Sequence, residues 1–257
     1  FSLSVLSLSA QSLTPKWTTE ATLRVPESVL LDSKNGVLYV SSIDGTPDNK
    51  DGNGFISQIA LDGQIKNLKW ATGLDAPKGM GIFNNNLYVA DISRLVTIDL
   101  ATGKITNSLE IEGATFLNDV TVDKAGTVYV SDSNTGKIHA VKGGKAEVYF
   151  EGAETKGVNG LLALGNELYV VNFSSGVNYK LSPEKKITKF STTAEGADGV
   201  VPVGKDEYLG SSWHGVISYV NSKGESKILL DTRGQKVSAA DIEFDPKTKT
   251  LFVPTFN

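Results

Sequence analysis

The sequence predicts an all-β fold, a six-bladed β-propeller with four-stranded blades, and three observations predict it. First, six related stretches begin near Pro26-Glu-Ser-Val, Pro77-Lys-Gly-Met, Leu117-Asn-Asp-Val, Gly157-Val-Asn-Gly, Ala197-Asp-Gly-Val and Ala239-Ala-Asp-Ile. Their leading residues, Glu27, Lys78, Asn118, Asn159, Asp198 and Ala240, lie 51, 40, 41, 39 and 42 residues apart. A repeat of about 40 residues marks a propeller or a solenoid. Second, each stretch is followed by a polar turn and a strand of shared signature, such as Val37-Leu-Tyr-Val-Ser-Ser, Val128-Tyr-Val-Ser-Asp and Leu168-Tyr-Val-Val-Asn. Third, no segment shows sustained helical periodicity, which argues against a helical solenoid.

Taken in order, each repeat supplies an apolar first strand and a turn that tolerates positive φ, such as Lys34-Asn-Gly or Leu164-Gly-Asn. The β-branched and aromatic second strand comes next. Third strands follow at Leu95-Val-Thr-Ile-Asp, Lys137-Ile-His-Ala-Val, Val177-Asn-Tyr-Lys-Leu and Val216-Ile-Ser-Tyr-Val. Turns such as Thr102-Gly-Lys and Lys223-Gly-Glu lead into a fourth. The sixth repeat reaches Asn257 after its second strand, so an N-terminal strand around Trp17-Thr-Thr-Glu-Ala-Thr-Leu-Arg-Val is expected to close the ring. A third strand is then missing from that blade, and the sequence is expected to be clipped at both ends.

Composition narrows the function classes. The 257 residues carry a net charge of −4 with no basic stripe, so nucleic acid is not an expected partner. There is no cysteine, which excludes disulfides, thiolate metal sites and a cysteine nucleophile. No apolar run is long enough to span a membrane. Residues 1–10 read as the tail of a signal peptide, with Leu-Ser-Ala preceding Gln11, so a periplasmic or secreted location is expected. Residues 11–257 then form a single domain, expected to be a monomer.

In a propeller the first strand of each blade lines the central channel, so the six leading residues form a ring at one mouth. Glu27, Asn118, Asn159 and Asp198 place two carboxylates and two amides there. Oxygen-only ligands suit a hard divalent cation, Ca²⁺ first, then Mg²⁺, Mn²⁺ or Zn²⁺. Without a cation, two carboxylates in a narrow channel repel and one tends to keep its proton.

Pro-Glu in the first repeat, Leu-Asn-Asp in the third, Asn-Gly-Leu in the fourth and Asp-Gly in the fifth resemble the regucalcin/gluconolactonase family of six-bladed, metal-dependent lactonases. The resemblance covers about residues 20–257. It implies Glu27, Asn159 and Asp198 as metal ligands, Asn118 as a ligand or substrate contact, and Asp198 also as base or nucleophile. It further implies hydrolysis of a lactone or related ester. Sugar-lactone members carry an arginine two residues before the third-repeat asparagine, where this chain has Phe116. That exchange trades a guanidinium fork for an aromatic face and points to a more apolar substrate.

Lys78 brings a cation into the ring, where it either pairs with a carboxylate or holds an anionic group of the substrate. The turns after the second strands face the same mouth and contain Asp91, Asp132, Asn134, Asn172, Phe173, Trp213 and His214. Trp213 is a candidate substrate contact, and His214 is a candidate proton shuttle because imidazole titrates near neutrality. His139 falls inside a third strand and reads as structural. The long first spacing holds a loop from Asp44 to Phe55, expected to overhang the mouth. Its Asn49-Lys-Asp-Gly-Asn-Gly resembles half of an EF-hand, but Ala60 stands where the bidentate glutamate belongs. A different class, a non-catalytic propeller binding a small ligand or partner protein around a structural Ca²⁺, is the alternative function.

Overall fold

The computed structural model describes residues 12–256; the signal-like segment of residues 1–10 lies outside them. Twenty-two strands follow one another around a ring. Blade one comprises β1 (Pro26–Asp32), β2 (Val37–Ser42), β3 (Gly54–Ala60) and β4 (Ile65–Leu74). Blade two comprises β5 (Pro77–Phe83), β6 (Asn86–Asp91), β7 (Arg94–Asp99) and β8 (Ile105–Glu110). Blade three comprises β9 (Leu117–Val122), β10 (Val128–Asp132), β11 (Lys137–Lys142) and β12 (Lys145–Glu151). Blade four comprises β13 (Val158–Leu164), β14 (Glu167–Asn172), β15 (Val177–Leu181) and β16 (Ile187–Thr192). Blade five comprises β17 (Ala197–Gly204), β18 (Glu207–Ser212), β19 (Val216–Val220) and β20 (Ser226–Asp231). The last sector holds a hairpin, β21 (Glu243–Asp245) and β22 (Thr250–Phe252). Every sheet is antiparallel with strands in sequence order.

The expected six four-stranded blades are therefore five, with a two-stranded hairpin in the sixth sector. The inner strands still contact one another in succession, β1 to β5, β9, β13, β17 and β21, and β21 contacts β1 again. The expected N-terminal strand does not form. Residues 17–25 contain a turn, with Thr22 N donating to Glu20 O, and Val25 takes a left-handed φ of 49° that breaks an extended run. This segment instead covers the hairpin through side chains. Trp17 packs on Phe252 with ring centroids 5.9 Å apart. The Lys16 ammonium donates to Thr250 Oγ1 at 2.7 Å.

Strand sequence explains the layering. β2 is buried at all six positions, whereas β8 is exposed at five of six. Middle strands have a neighbouring blade on each face and so read as near-continuous apolar runs; outer strands face water. The apolar core is accordingly divided into clusters between successive blades. One joins Tyr39 and Ile56 to Met80, Leu87 and Val89. Another joins Val201 and Ile217 to Ile242 and Leu251, and Phe252 meets Val29, Leu38 and Val40 across the closure. No helix among the described residues is long and apolar enough to cross a membrane.

Candidate functional site

The inner strand of each four-stranded blade pairs through a bulge that shapes the mouth. Pairing of β1 with β2 slips between Pro26 and Ser28, and β17 with β18 slips between Ala197 and Val200. The bulge frees a backbone N–H, and a serine on the second strand accepts it: Ser41 from Ser28 N at 3.0 Å, Ser131 from Asp119 N at 2.9 Å, Ser211 from Gly199 N at 2.8 Å. Ser131 also donates to Asn159 O at 2.6 Å, tying blade three to blade four. These bonds hold the leading residues at the channel.

All six leading residues are buried. Burial first, and then the Asp198 carboxylate, push the Glu27 carboxyl well above its ordinary value; Lys78 pulls the other way, while Asp241 and Asp119 add to the rise. Asp198 is likewise pushed well up by burial and by Asp241, with no hydrogen bond to offset either. Glu27 Oε2 and Asn159 Oδ1 are fully buried and accept from no protein donor. Asn118 spends its amide N–H on Ser133 Oγ at 3.1 Å, which leaves its carbonyl oxygen uncommitted. The structure thus brings Glu27 and Asp198 into one electrostatic field with Lys78. Uncommitted amide oxygens stand on the intervening strands.

Two carboxylates that sequence reasoning passed over share this channel. Asp119 and Asp241 follow the leading residues of the third and sixth sectors. Asp119 Oδ2 accepts Leu161 N on the next blade at 2.6 Å, and Oδ1 accepts Val120 N at 2.6 Å. Asp241 Oδ2 accepts Ser28 Oγ at 2.6 Å, and Ser28 and Asp241 form a parallel bridge. Their space comes from glycines: a Cβ on Gly79 would meet Asp119 Oδ1 at 2.3 Å, and one on Gly199 would meet Asp241 Oδ1 at 2.4 Å. Asp119 is raised by burial and then by Asp241, opposed by its two amide bonds. Asp241 is pushed up to about 7, mainly by burial. The sequence signal was present, since the position after each leading residue alternates among serine, glycine and aspartate.

Lys78 pairs with no carboxylate at ion-pair distance. Its ammonium donates to Pro47 O at 2.8 Å and Ala76 O at 3.0 Å and stands 4.5 Å from the centroid of the Phe116 ring. Burial lowers its pKa, against the pull of Glu27. Through Pro47 it fastens the long loop to blade two, and Gly52 N to Asp75 Oδ1 (3.0 Å) and Lys50 Nζ to Ser93 Oγ (2.8 Å) add two further ties. The EF-hand-like segment spends its acid locally, since Asp51 accepts Asn49 Nδ2 and Asn53 N.

The turns after the second strands do reach this mouth. Ser133 N donates to Phe116 O, Phe173 N to Gly157 O and Trp213 N to Gly196 O, each acceptor lying two residues before a leading residue. Asp91, Asp132 and Asn172, however, point into the backbone and staple the strand entries. Asp91 accepts Asp75 N and Ala76 N, Asp132 accepts Thr115 N, and Asn172 donates to Lys156 O. His214 is exposed and packs with aromatic rings, Phe173 at 6.2 Å and Trp213 at 5.7 Å. His139 is buried in β11 and its pKa is lowered by burial, as a structural histidine's would be. Two β-branched residues at the rim, Val25 and Ile92, hold left-handed φ angles of 49° and 58°. Such strain costs about 1–3 kcal/mol per residue and persists where packing imposes it; here Ile43, Ala76 and Phe256 do so.

Among the described residues no three His, Cys, Asp or Glu side chains are arranged to hold a metal ion. A cation here would therefore depend on the amide oxygens of Asn118 and Asn159 as well as on Glu27 and Asp198.

No protein-family model and no curated protein matches the sequence. Solved structures match its fold. A streptogramin B lyase is 12% identical, over 90% of this chain and 91% of that one, with a TM-score of 0.67. A catalytically inactive histidine-to-alanine variant of virginiamycin B lyase from Staphylococcus aureus, with quinupristin, is 16% identical over 90% and 92%, with a TM-score of 0.65. A chain of the nidogen/laminin complex is 14% identical over 85% and 84%, with a TM-score of 0.69. At such identities the likeness establishes the propeller and nothing finer. Membership of the regucalcin/gluconolactonase family is not confirmed by any of these matches.

Proposed function

We propose that this chain is a metal-dependent hydrolase of an ester or lactone, with its site in the ring of Glu27, Asn118, Asn159 and Asp198. The observation that carries the reading is the pair of buried, unpartnered oxygens, Glu27 Oε2 and Asn159 Oδ1, beside an Asp198 carboxylate that no donor reaches. Leaving a buried acceptor unsatisfied costs about 1–3 kcal/mol, more when it is charged. A hard divalent cation satisfies several at once, and this all-oxygen donor set fits Ca²⁺ best. Bound there, such an ion would supply Lewis-acid polarisation of the acyl carbonyl.

The chain's own groups do the rest. Asp198, pushed above the ordinary carboxylate range by burial and by Asp241, is a stronger base than a free carboxylate. It takes a proton from the attacking water as the water oxygen bonds to the acyl carbon. The acyl C–O bond then breaks, and the proton passes from Asp198 to the departing alkoxide. Two of the three Lys78 donors are committed to Pro47 O and Ala76 O, and the ammonium lies against the Phe116 ring, so Lys78 would act on the substrate as a nearby positive charge. Phe116, Trp213 and His214 line the approach, with His214 the candidate for passing the proton outward. The closed propeller and the aromatic rim support a small ligand entering from this one mouth.

A pH-indicator panel of aliphatic, aromatic and sugar lactones, run with Ca²⁺ or with EDTA, tests the reading. We expect turnover that EDTA abolishes, and Ca²⁺ affinity, measured by calorimetry, that falls at least tenfold in Glu27→Gln. Equal rates in EDTA would refute the metal's role. Calcium binding without turnover of any ester would instead favour the binding propeller, a reading that the exposed Trp213 also supports.

A further inference from the structure

Every sector contributes an apolar or aromatic side chain to the rim above the acidic ring, which neither the metal nor the hydrolysis step requires. Val25 and Ile43 stand in the first sector, Ile92 in the second, Phe116 in the third, Phe173 in the fourth, Trp213 and His214 in the fifth, and Phe256 in the sixth. The aromatic members form an unbroken series. Phe173 lies 6.2 Å from His214, His214 5.7 Å from Trp213, and Trp213 5.7 Å from Phe256. Trp213 stands nearly perpendicular to both neighbours, at 75° and 76°. Two rings therefore flank it, while it keeps 36% of its surface exposed. Phe116 is different, because Lys78 already occupies its face.

We infer that the substrate carries an aromatic ring that packs on Trp213 between His214 and Phe256, so that its acyl group hangs toward Asp198. The inference rests on the ester-hydrolase reading for the reacting group, and on the rim alone for the ring. Aromatic rings prefer offset or edge-to-face contact with one another, and Trp213, His214 and Phe256 stand together to offer it. A sugar or a short alkyl chain meets none of it. Water-facing tryptophan surface is also exchanged for ligand contact, a gain that a polar substrate does not offer.

Two measurements separate the ring from the reaction. The first is isothermal titration calorimetry with a non-hydrolysable pair, N-benzylacetamide and N-methylacetamide, on wild type, Trp213→Ala and Phe173→Ala. We expect saturable binding of the benzyl amide only, with affinity at least tenfold weaker in Trp213→Ala and severalfold weaker in Phe173→Ala, while Ca²⁺ affinity is unchanged in both. The second is kcat/KM for benzyl acetate against methyl acetate, whose leaving alcohols are similarly acidic. We expect benzyl acetate to be preferred at least tenfold, and the preference to vanish in Trp213→Ala. Equal binding of the two amides, no binding of either, or a benzyl preference that survives Trp213→Ala overturns the inference. Benzyl-selective, Trp213-dependent binding with neither ester turned over upholds the aromatic site and refutes the hydrolase. Equal turnover of both esters upholds the hydrolase and refutes the aromatic site.

Discussion

Asp119 and Asp198 differ by one place in the repeat frame and face the same channel, yet their surroundings are opposite. Asp119 is saturated: one oxygen takes Leu161 N from the neighbouring blade, and the other takes Val120 N. Asp198 takes no donor, and burial and the charge of Asp241 push it up. One carboxylate is a bolt between blades, and the other makes no hydrogen bond. Under the proposed hydrolase reading, it is the absence of partners, not burial alone, that separates the functional acid from the structural one. Inner strands do not ladder with one another, so side chains such as Asp119, Thr121 and Glu243 must cover the free N–H groups of the next blade, at Leu161, Ala163 and Leu31.

The largest expected effect breaks or sustains this contrast directly. Asp198→Asn should cut ester turnover by about 10²–10⁴-fold, the usual contribution of a general base, and leave the melting temperature unchanged or higher. Asp119→Ala should do the reverse. It orphans two buried amides at roughly 1–3 kcal/mol each, so the melting temperature should drop by on the order of 10 °C for a chain of this size. Paired melting curves and initial rates decide it. If Asp198→Asn unfolds as early as Asp119→Ala, both are bolts and the site is elsewhere.

A smaller effect follows from pH. Asp241 is raised from 3.8 to about 7 in the fold, and Glu27, Asp119 and Asp198 are raised with it. The folded protein thus keeps protons that the unfolded chain has already released. The associated stability is whole below about pH 4, and it is lost as pH rises through 7. Metal-free protein should therefore melt several degrees lower at pH 8 than at pH 5, by calorimetry in EDTA. Calcium should close most of that gap by giving the charged forms a partner. A melting temperature that rises with pH in EDTA would mean the channel acids are already compensated.

Much of the architecture was legible in the residues. The second strands from Val37, Val128 and Glu207 begin where the repeated Tyr signature places them, because a strand buried on both faces leaves a dense apolar run. The ring at one mouth was legible too, since the repeat phase alone sets which residue faces the channel. The closing sector was not. Residues 17–25 have strand-like composition, but closure is settled by tertiary contacts, Trp17 on Phe252 and Lys16 on Thr250, that leave no periodic trace. Asp119 and Asp241 were hidden differently. An acidic residue beside a leading asparagine or alanine looks like more of the same motif until the glycines opposite, Gly79 and Gly199, reveal the space reserved for it. The commitment of Lys78 to backbone carbonyls depends on a long loop whose path no local pattern fixes.

The smallest effect links scaffold to site. Three serines hold equivalent bulges, but only Ser131 reaches beyond its own blade. It accepts Asp119 N and donates to Asn159 O at 2.6 Å, whereas Ser41 returns to Ser28 O in its own blade at a marginal 3.5 Å. Ser41→Ala removes one intrablade acceptor and should cost about 1 kcal/mol in a denaturant melt. Ser131→Ala should cost somewhat more, and it alone should loosen the backbone that carries Asn159. The measurable sign is calcium affinity, expected to weaken severalfold in Ser131→Ala and to stay at the wild-type value in Ser41→Ala. If both serines change stability but neither changes affinity, Asn159 is positioned by its own blade, and the coupling between bolt and site ends at the backbone.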